Sequence, residues 1–529
     1  MINFKSHSMK YSYKHLLIAL TTVGFFAACT KDLGNYHYKD INDISITGLA
    51  ENYQMRASID TLKIAPSFSS SLDIQDENRY EFLWIAKDPT RREDTLARTL
   101  NLNYFVQIPP GTYALDLHVF DKETNLRWTK SSELVVGSAF SRGIMLIGED
   151  ENEHVDVDML VMAADTSVAR RLLVGSELPK LKGPISIQYA PSLLDPYVKL
   201  WLLTESGSYF LDRTTLNSSV ENNFGKSVFS KYPLTAEELQ PVAIGPQSYN
   251  MAGTLGDLFQ SARVTVTKGG YMFGPNLVEN AGDFFGNPIN STSDNLEVFY
   301  KASPYLFYSP RSSASMIWYD QTNERFLYIP TYYFVSASQK LVDAGGELFP
   351  WNQAGTGRTL IYGENTLNGD EAATNGNSFA LMKDQQQDLF IYRFYVNGAI
   401  PARNGYFPIN KTIAANIDRA TQYAFASNRT VLFYLVDNKL FAYDYNPGNE
   451  RLYALSPTGS DPITMIKFGT QINLGANSLY IASYNNTDKG VLQRFTMGTN
   501  PNTVEITPVA NEKWTNLVKV KNISWRGRN

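Results

Sequence analysis

Between Thr430 and Leu455 the chain spells out three short strands with hardly a residue to spare. Val431-Leu432-Phe433-Tyr434-Leu435-Val436 is β-branched, aromatic and apolar throughout, Asp437-Asn438 is a tight-turn pair, and Lys439-Leu440-Phe441-Ala442-Tyr443-Asp444 runs back. Asn446-Pro447-Gly448-Asn449 then turns the chain into Arg451-Leu452-Tyr453-Ala454-Leu455. The same strand–turn–strand unit recurs at Leu200–Leu203 with Tyr209–Leu211, Met316–Tyr319 with Arg325–Tyr328, Ser378–Leu381 with Leu389–Tyr392, and Ser478–Ile481 with Val491–Phe495. Weaker first members stand at Gly143–Ile147 and Arg263–Val266. A recurrence every 45–60 residues or so, with three or four strands per unit and no helical period, predicts a β-propeller of about seven blades. It spans residues 138–529. The most apolar runs are expected as its inner strands, and Val518-Lys519-Val520 or Ile523-Ser524-Trp525 as a strand closing the ring against the first blade. Two or three further β-sandwiches in a row would also give regular hairpins. No Pro/Ser-rich linker divides residues 140–529, which favours one closed unit.

Ahead of this region, residues 41–137 read as a small sandwich. Ile44, Ile46, Leu62 and Ile64 alternate with polar residues, and Tyr80-Glu81-Phe82-Leu83-Trp84-Ile85 sets large apolar side chains along a half-buried strand. Trp84 is the natural centre of the core. Pro109-Pro110-Gly111-Thr112 makes a turn, after which Tyr113, Leu115, Leu117 and Val119 share one face. About seven strands fit a domain of this length. The segment Gly34-Asn35-Tyr36-His37-Tyr38-Lys39-Asp40-Ile41-Asn42-Asp43 resembles the opening of the PKD-like family of lipoproteins from nutrient-uptake loci of Bacteroidota. Pro110–Asp121 is similar to the late strand of a PKD or immunoglobulin-type sandwich. The resemblance covers residues 29–137, and beyond them rests on general architecture alone. It implies an Ig-like domain following a lipid anchor, and association with a SusC/SusD-like system, a TonB-dependent barrel with its lipoprotein lid. The fold class is therefore expected to be all-β, a PKD/Ig-like sandwich followed by a propeller.

The anchor itself is legible in the first residues. Lys5, Lys10 and Lys14 precede the apolar stretches Leu16–Leu20 and Val23–Phe26, and the small residues Ala27-Ala28 lead into Cys29, the only cysteine in the chain. The apolar run is too short to span a bilayer and suits a signal segment. Small residues before a lone cysteine suit a lipoprotein signal peptidase, although Phe26 stands where leucine is usual. Residues 1–28 are thus expected as the signal peptide, Cys29 as the acylated residue and residues 29–40 as the tether. Several acyl chains, at about 0.8 kcal/mol per buried CH₂, would hold the chain at the outer membrane, exposed at the cell surface.

Chemistry is sparse by comparison. A net charge of −5 with both signs interspersed argues against nucleic acid as a partner. His37, His118 and His154 are the histidines after Cys29, too few and too scattered for a zinc site or a serine–histidine triad. Glu149-Asp150-Glu151-Asn152-Glu153 with Asp156 and Asp158 lacks the glycine punctuation of a calcium loop and is expected as a solvated turn. No phosphate loop or dinucleotide fingerprint is present, so no cofactor, metal or catalytic residue is assigned. The remaining signal is aromatic. Tyr305, Phe307 and Tyr308 form one group, Tyr332-Tyr333-Phe334 another, and Phe349-Pro350-Trp351-Asn352-Gln353 a third. A loop tryptophan beside amides has the composition of a sugar- or peptide-binding surface, which makes Trp351, Tyr332, Tyr333, Asn352 and Gln353 the candidate ligand residues. The expected function is a non-catalytic surface lipoprotein that binds oligosaccharide or oligopeptide, or docks on the transporter. The alternative is a propeller enzyme acting on glycans through carboxylates; acids are sparse in the apolar runs, which disfavours it.

Overall fold

Asp437 and Asn438 both adopt positive φ, 47° and 62°, the conformation of a two-residue type I′ turn. That turn twists in the same sense as the strands it joins, so Val431–Val436 and Lys439–Asp444 pair antiparallel from Val436↔Lys439 to Val431↔Asp444. Repetition of this local solution builds the larger structure. The computed structural model describes residues 42–526 except 58, 73–76, 91, 139, 141, 163–165, 191–198, 248–262, 275–284, 311–314, 331–336, 368–375, 397–400 and 472–477.

The described part of the chain is built of strands with a few 3₁₀ turns. Strands from Ile44 to Gly137 form the sandwich. One five-stranded sheet runs in the order Asn52–Arg56, Arg127–Gly137, Gly111–Asp121, Tyr80–Lys87, Glu93–Ala97, its first pair parallel. Two ribbons complete the domain, Ile44–Thr47 with Ser67–Ser70 and Thr61–Ile64 with Leu102–Phe105. That makes nine strands where the sequence pattern suggested about seven. The additional ones are short edge segments of four or five residues, which carry little periodicity of their own. Trp84 is fully buried with Leu62, Leu115, Leu117 and Leu134 around it, and its indole N–H donates to Leu100 O at 3.1 Å. Tyr113 is likewise buried, its hydroxyl tied back to Pro109 O at 2.7 Å. Both side chains belong to the core.

From Gly143 onward, the described residues form seven antiparallel sheets that follow one another. Their innermost strands are Lys519–Arg526 (blade 1), Pro184–Ala190 (blade 2), Pro241–Gly245 (blade 3), Ala302–Phe307 (blade 4), Thr359–Asn365 (blade 5), Gln422–Phe425 (blade 6) and Ile463–Phe468 (blade 7). Each lies against the inner strands of the blades on either side, so the sheets close into a ring. Closure uses the C-terminal strand, as the sequence suggested: Lys519–Arg526 pairs antiparallel with Gly143–Glu149. The ring is held there by acids expected to be solvated. Asp158 is fully buried and accepts from Arg171 N at 2.8 Å and from Val518 N at 2.7 Å, while Asp156 accepts from Val157 N and Leu173 N. Burial raises the pKa of both carboxyls.

The apolar runs are not the inner strands. Leu200–Leu203, Val431–Val436 and Ser478–Ile481 lie in the second strand of their blades, flanked by strands on both edges and buried on both faces. A second strand packs against the neighbouring blade through each face, so it must be apolar throughout. An inner strand has one free edge toward the axis and carries polar side chains there. The correction matters, because the axis is where a site can form.

Candidate functional site

Of the residues proposed from sequence as ligand contacts, Trp351, Asn352 and Gln353 lie away from the axis. The Trp351 ring is 2 % exposed and packs edge-on against Phe349, Phe326 and Phe394 at 5.2–5.9 Å, with the Arg403 guanidinium over it at 4.6 Å. No ring face is left for a ligand. Gln353 is fully buried, its Oε1 accepting from Tyr392 OH at 3.0 Å and Thr356 Oγ1 at 2.8 Å. Asn352 is exposed and spends its side-chain oxygen on Ala354 N. The loop therefore plugs blades 4 and 5 together, because Phe326 of blade 4 and Phe394 of blade 5 converge with the loop's own Phe349 where Trp351 lands. Tyr332 and Tyr333, like Cys29, lie outside the described residues.

The axis holds a different constellation. All seven inner strands contribute to a cavity of about 830 Å³. Along one arc stand Tyr305 and Tyr308 of the blade 4 segment, Tyr362 of blade 5 and Tyr423 of blade 6, all partly exposed. Tyr362 meets Tyr305 edge-on at 5.6 Å and Tyr423 in a tilted contact at 5.4 Å, so the rings form a continuous aromatic wall. Gly363 permits this: a Cβ there would stand 2.7 Å from the Phe307 ring and 2.8 Å from Tyr305 Cβ. The opposite arc is polar, with Thr464 and Lys467 of blade 7, Asn522 of blade 1 and Gln188 of blade 2.

Many of these polar groups satisfy the free edges of the inner strands. Asn365 links blades 5 and 4, accepting from Tyr308 N at 3.0 Å and donating to Leu306 O at 2.8 Å. Gln422 links blades 6 and 7 through Thr464 O and Ile466 N. Lys467 Nζ donates to Asn522 Oδ1 at 2.9 Å and Ile523 O at 2.7 Å, and Asn522 Nδ2 donates to Ile185 O at 3.0 Å. Unpaired backbone groups at a sheet edge need such partners wherever water is scarce.

Glu364 stands on the inner strand of blade 5, a position that the sequence reading left without an acid. Its Oε2 accepts from Phe425 N at 2.7 Å and from Tyr362 OH at 3.1 Å. Burial pushes its pKa up to about 7, against the lowering effect of those two hydrogen bonds and of Lys467. Burial also brings Lys467 down to about 8, opposed by the attraction of Glu364. The channel thus holds one carboxyl and one ammonium whose charges respond to pH near neutrality. Sequence reasoning missed Glu364 because Thr359–Asn365, part-buried from Leu360 on, lacks the apolar signature sought. The available clue was Tyr362-Gly363-Glu364, a glycine inside an otherwise β-prone run, which marks a close approach of neighbouring groups.

Solved structures with similar arrangements cover much of the chain at low identity. A quinonprotein alcohol dehydrogenase-like protein from Bacteroides thetaiotaomicron shares 12% identity over 90% of this chain and 97% of its own, with a TM-score of 0.35. A DUF4784 family protein from Bacteroides caccae shares 9% over 79% of this chain and 96% of its own, with a TM-score of 0.28. An ancestral GH74 enzyme shares 10% over 74% of this chain and 50% of its own, with a TM-score of 0.36. At such scores the architecture rests on the strand order itself. No curated protein matches the sequence. Residues 29–172, the sandwich together with the first strands of blade 1, match the PKD-like family.

Proposed function

We propose that the chain is a lipid-anchored, surface-exposed outer-membrane protein, a non-catalytic accessory of a SusC/SusD-like nutrient uptake system, and that its propeller channel binds the oligosaccharide or oligopeptide being imported. The observation that carries this reading is the channel: a cavity of about 830 Å³ with an aromatic wall facing amides and lysine ammonium groups. Flat rings offer apolar contact while amides read hydroxyls or backbone groups, the usual division of labour in a binding cleft. The PKD-like match, directly after the lipobox-like Ala27-Ala28-Cys29, supports the anchored placement. Two experiments test it. Cys29→Ala should release the protein from the membrane fraction or leave it unprocessed; a variant still tightly bound would defeat the anchor. Affinity purification of the full chain in mild detergent should recover a TonB-dependent transporter, and its absence would remove the docking role.

Glu364 supports a second reading, a glycan-active enzyme. A carboxyl with pKa about 7 is the right acid for protonating a leaving group near neutrality. Hydrolysis of a polysaccharide that disappears in Glu364→Gln would promote this reading over the first.

A further inference from the structure

Three polar atoms of the channel wall are buried and have no hydrogen-bond partner among the described residues: Gln188 Oε1, Thr464 Oγ1 and Gln471 Nε2. Each belongs to a residue whose other polar groups are fixed. Gln471 Oε1 accepts from Trp525 N at 3.1 Å, Gln188 Nε2 donates to Ser186 Oγ at 3.1 Å, and Thr464 O accepts from Gln422. Gln471 and Thr464 are 7% and 9% exposed. Leaving a buried polar atom unpaired costs about 1–3 kcal/mol, and native interiors keep few of them. Three on the wall of one cavity point to a ligand that supplies their partners.

Beside them, Lys467 uses two of its three N–H donors within the protein. Glu364 places both of its bonds on Oε2, and no described donor reaches Oε1. The wall therefore offers donors at Gln471 and Lys467, acceptors at Gln188 and Glu364, and at Thr464 a hydroxyl that can do either.

We propose that the channel's ligand is a neutral saccharide, its hydroxyls bridging these donors and acceptors and its C–H face lying on the Tyr305–Tyr362–Tyr423 wall. This rests on the reading of the channel as a ligand site. A hydroxyl both donates and accepts, so a polyol satisfies a mixed set that a carboxylate or an ammonium, each of one kind only, does not. Charge gives the second reason. On the lining, Lys383 and Lys467 are offset by Glu364 and Asp418, and Lys521 reaches Glu149 at 3.5 Å, so a ligand with net charge would upset the balance. An uncharged saccharide leaves the balance intact.

The test uses the full lipidated chain in a detergent without a sugar headgroup, titrated calorimetrically. The probes are an array of neutral oligosaccharides that includes maltotriose, cellotriose and mannotriose, with trigalacturonate and trialanine alongside. Expected is binding of at least one neutral oligosaccharide, and of neither anionic trigalacturonate nor zwitterionic trialanine. Thr464→Val keeps the shape of the side chain and removes only the unpaired hydroxyl, so it should fold as well as the parent. It should nevertheless weaken that binding roughly three- to tenfold, one neutral hydrogen bond, with Thr464→Ser restoring it. Preferential binding of trialanine or trigalacturonate, lost in the channel variants, would overturn the neutral saccharide while leaving the channel a binding site. Neutral binding indifferent to both Thr464→Val and Glu364→Gln would place the ligand elsewhere and overturn the proposal. Silence from the whole array at millimolar concentration would overturn it too, and co-purification of the transporter would still stand or fall separately.

Discussion

Replacing Glu364 by glutamine should remove a pH-dependent weakness from the middle of the propeller. The carboxyl titrates near 7 in the folded chain against an ordinary value of 4.5, with burial as the main cause. A raised acid pKa sets the sign. Folding carries no penalty from this group below about pH 4.5, where it is protonated in both states. The penalty grows as pH rises toward 7 and is constant above. The separation corresponds to roughly 3 kcal/mol at about 1.4 kcal/mol per pH unit, and about half of that once solvent in the open channel is allowed for. Glutamine keeps an oxygen to accept from Phe425 N–H and Tyr362 O–H, so the hydrogen bonds at 2.7 Å and 3.1 Å survive the change. Lys467 supplies the opposing term, since below its own value of about 8 it is charged and gains from the carboxylate. The comparison is therefore cleanest near pH 9, where the lysine is largely neutral and the carboxylate stands alone. Urea unfolding of parent and variant should coincide near pH 4 and differ near pH 9 by about 1–3 kcal/mol in favour of the variant. Parallel pH profiles, or a variant less stable near pH 9, would refute the reasoning and mean that water enters the channel freely enough to solvate the carboxylate.

Other expectations follow from burial. Trp351→Ala should lower stability by about 3–5 kcal/mol as a cavity-forming core change, read by thermal unfolding; a neutral effect would restore the ring to the role of an exposed platform. Truncation before Lys519 removes Val520, Ile523 and Trp525 from the core. At about 1.5–3 kcal/mol each this approaches the whole stability of an ordinary domain, so limited proteolysis should degrade the propeller while sparing the sandwich. In the sandwich, Asp121 is fully buried and paired with Arg79 at 2.6 Å, which holds its pKa down to about 2. That stability is fully present above about pH 4 and lost as the pH falls toward 2. Asp121→Asn should thus cost about 1–2 kcal/mol at neutral pH and little in strong acid, as chemical denaturation at the two pH values would register.

Legibility in the sequence tracked how completely a segment is buried. Val431–Val436 and its partner were readable because a strand buried on both faces is apolar at every position, and because Asp437-Asn438 suits a type I′ turn. The number of blades followed from the length of the region divided by the spacing of such units. Gln422–Phe425 was not readable: it is four residues long, two of them partly exposed, and its glutamine works sideways to blade 7. Nothing in so short a mixed run distinguishes a strand from a loop. The candidate site inherited this blindness, since most of the channel residues sit on an inner strand or just beyond its end. Tyr305 and Tyr308 were noticed as aromatic, but composition alone ranked them no higher than Trp351. What separates them is position in the ring: Trp351 meets three phenylalanines between blades 4 and 5, whereas Tyr305 and Tyr308 line the axis.

A polar axis is also what the geometry of a closed ring demands, and this decides which of its polar groups can carry function. Seven inner strands present seven free edges to a common centre, and their N–H and C=O groups must be paired there by side chains or water. Asn365, Gln422 and Asn522 do this, each bonding the backbone of the adjacent blade. Replacing any of them would strand a backbone group and loosen the ring whatever the ligand. Thr464 Oγ1 and Gln471 Nε2 pair with nothing in the described protein, and one proton of Lys467 and one oxygen of Glu364 are left over after the edge bonds are made. Stability gives no reason to keep such atoms unpaired inside a fold, since Val at 464 would fill the same space without the penalty. The division between paired and leftover groups therefore separates scaffold from site within a single strand, at neighbouring positions such as Glu364 and Asn365.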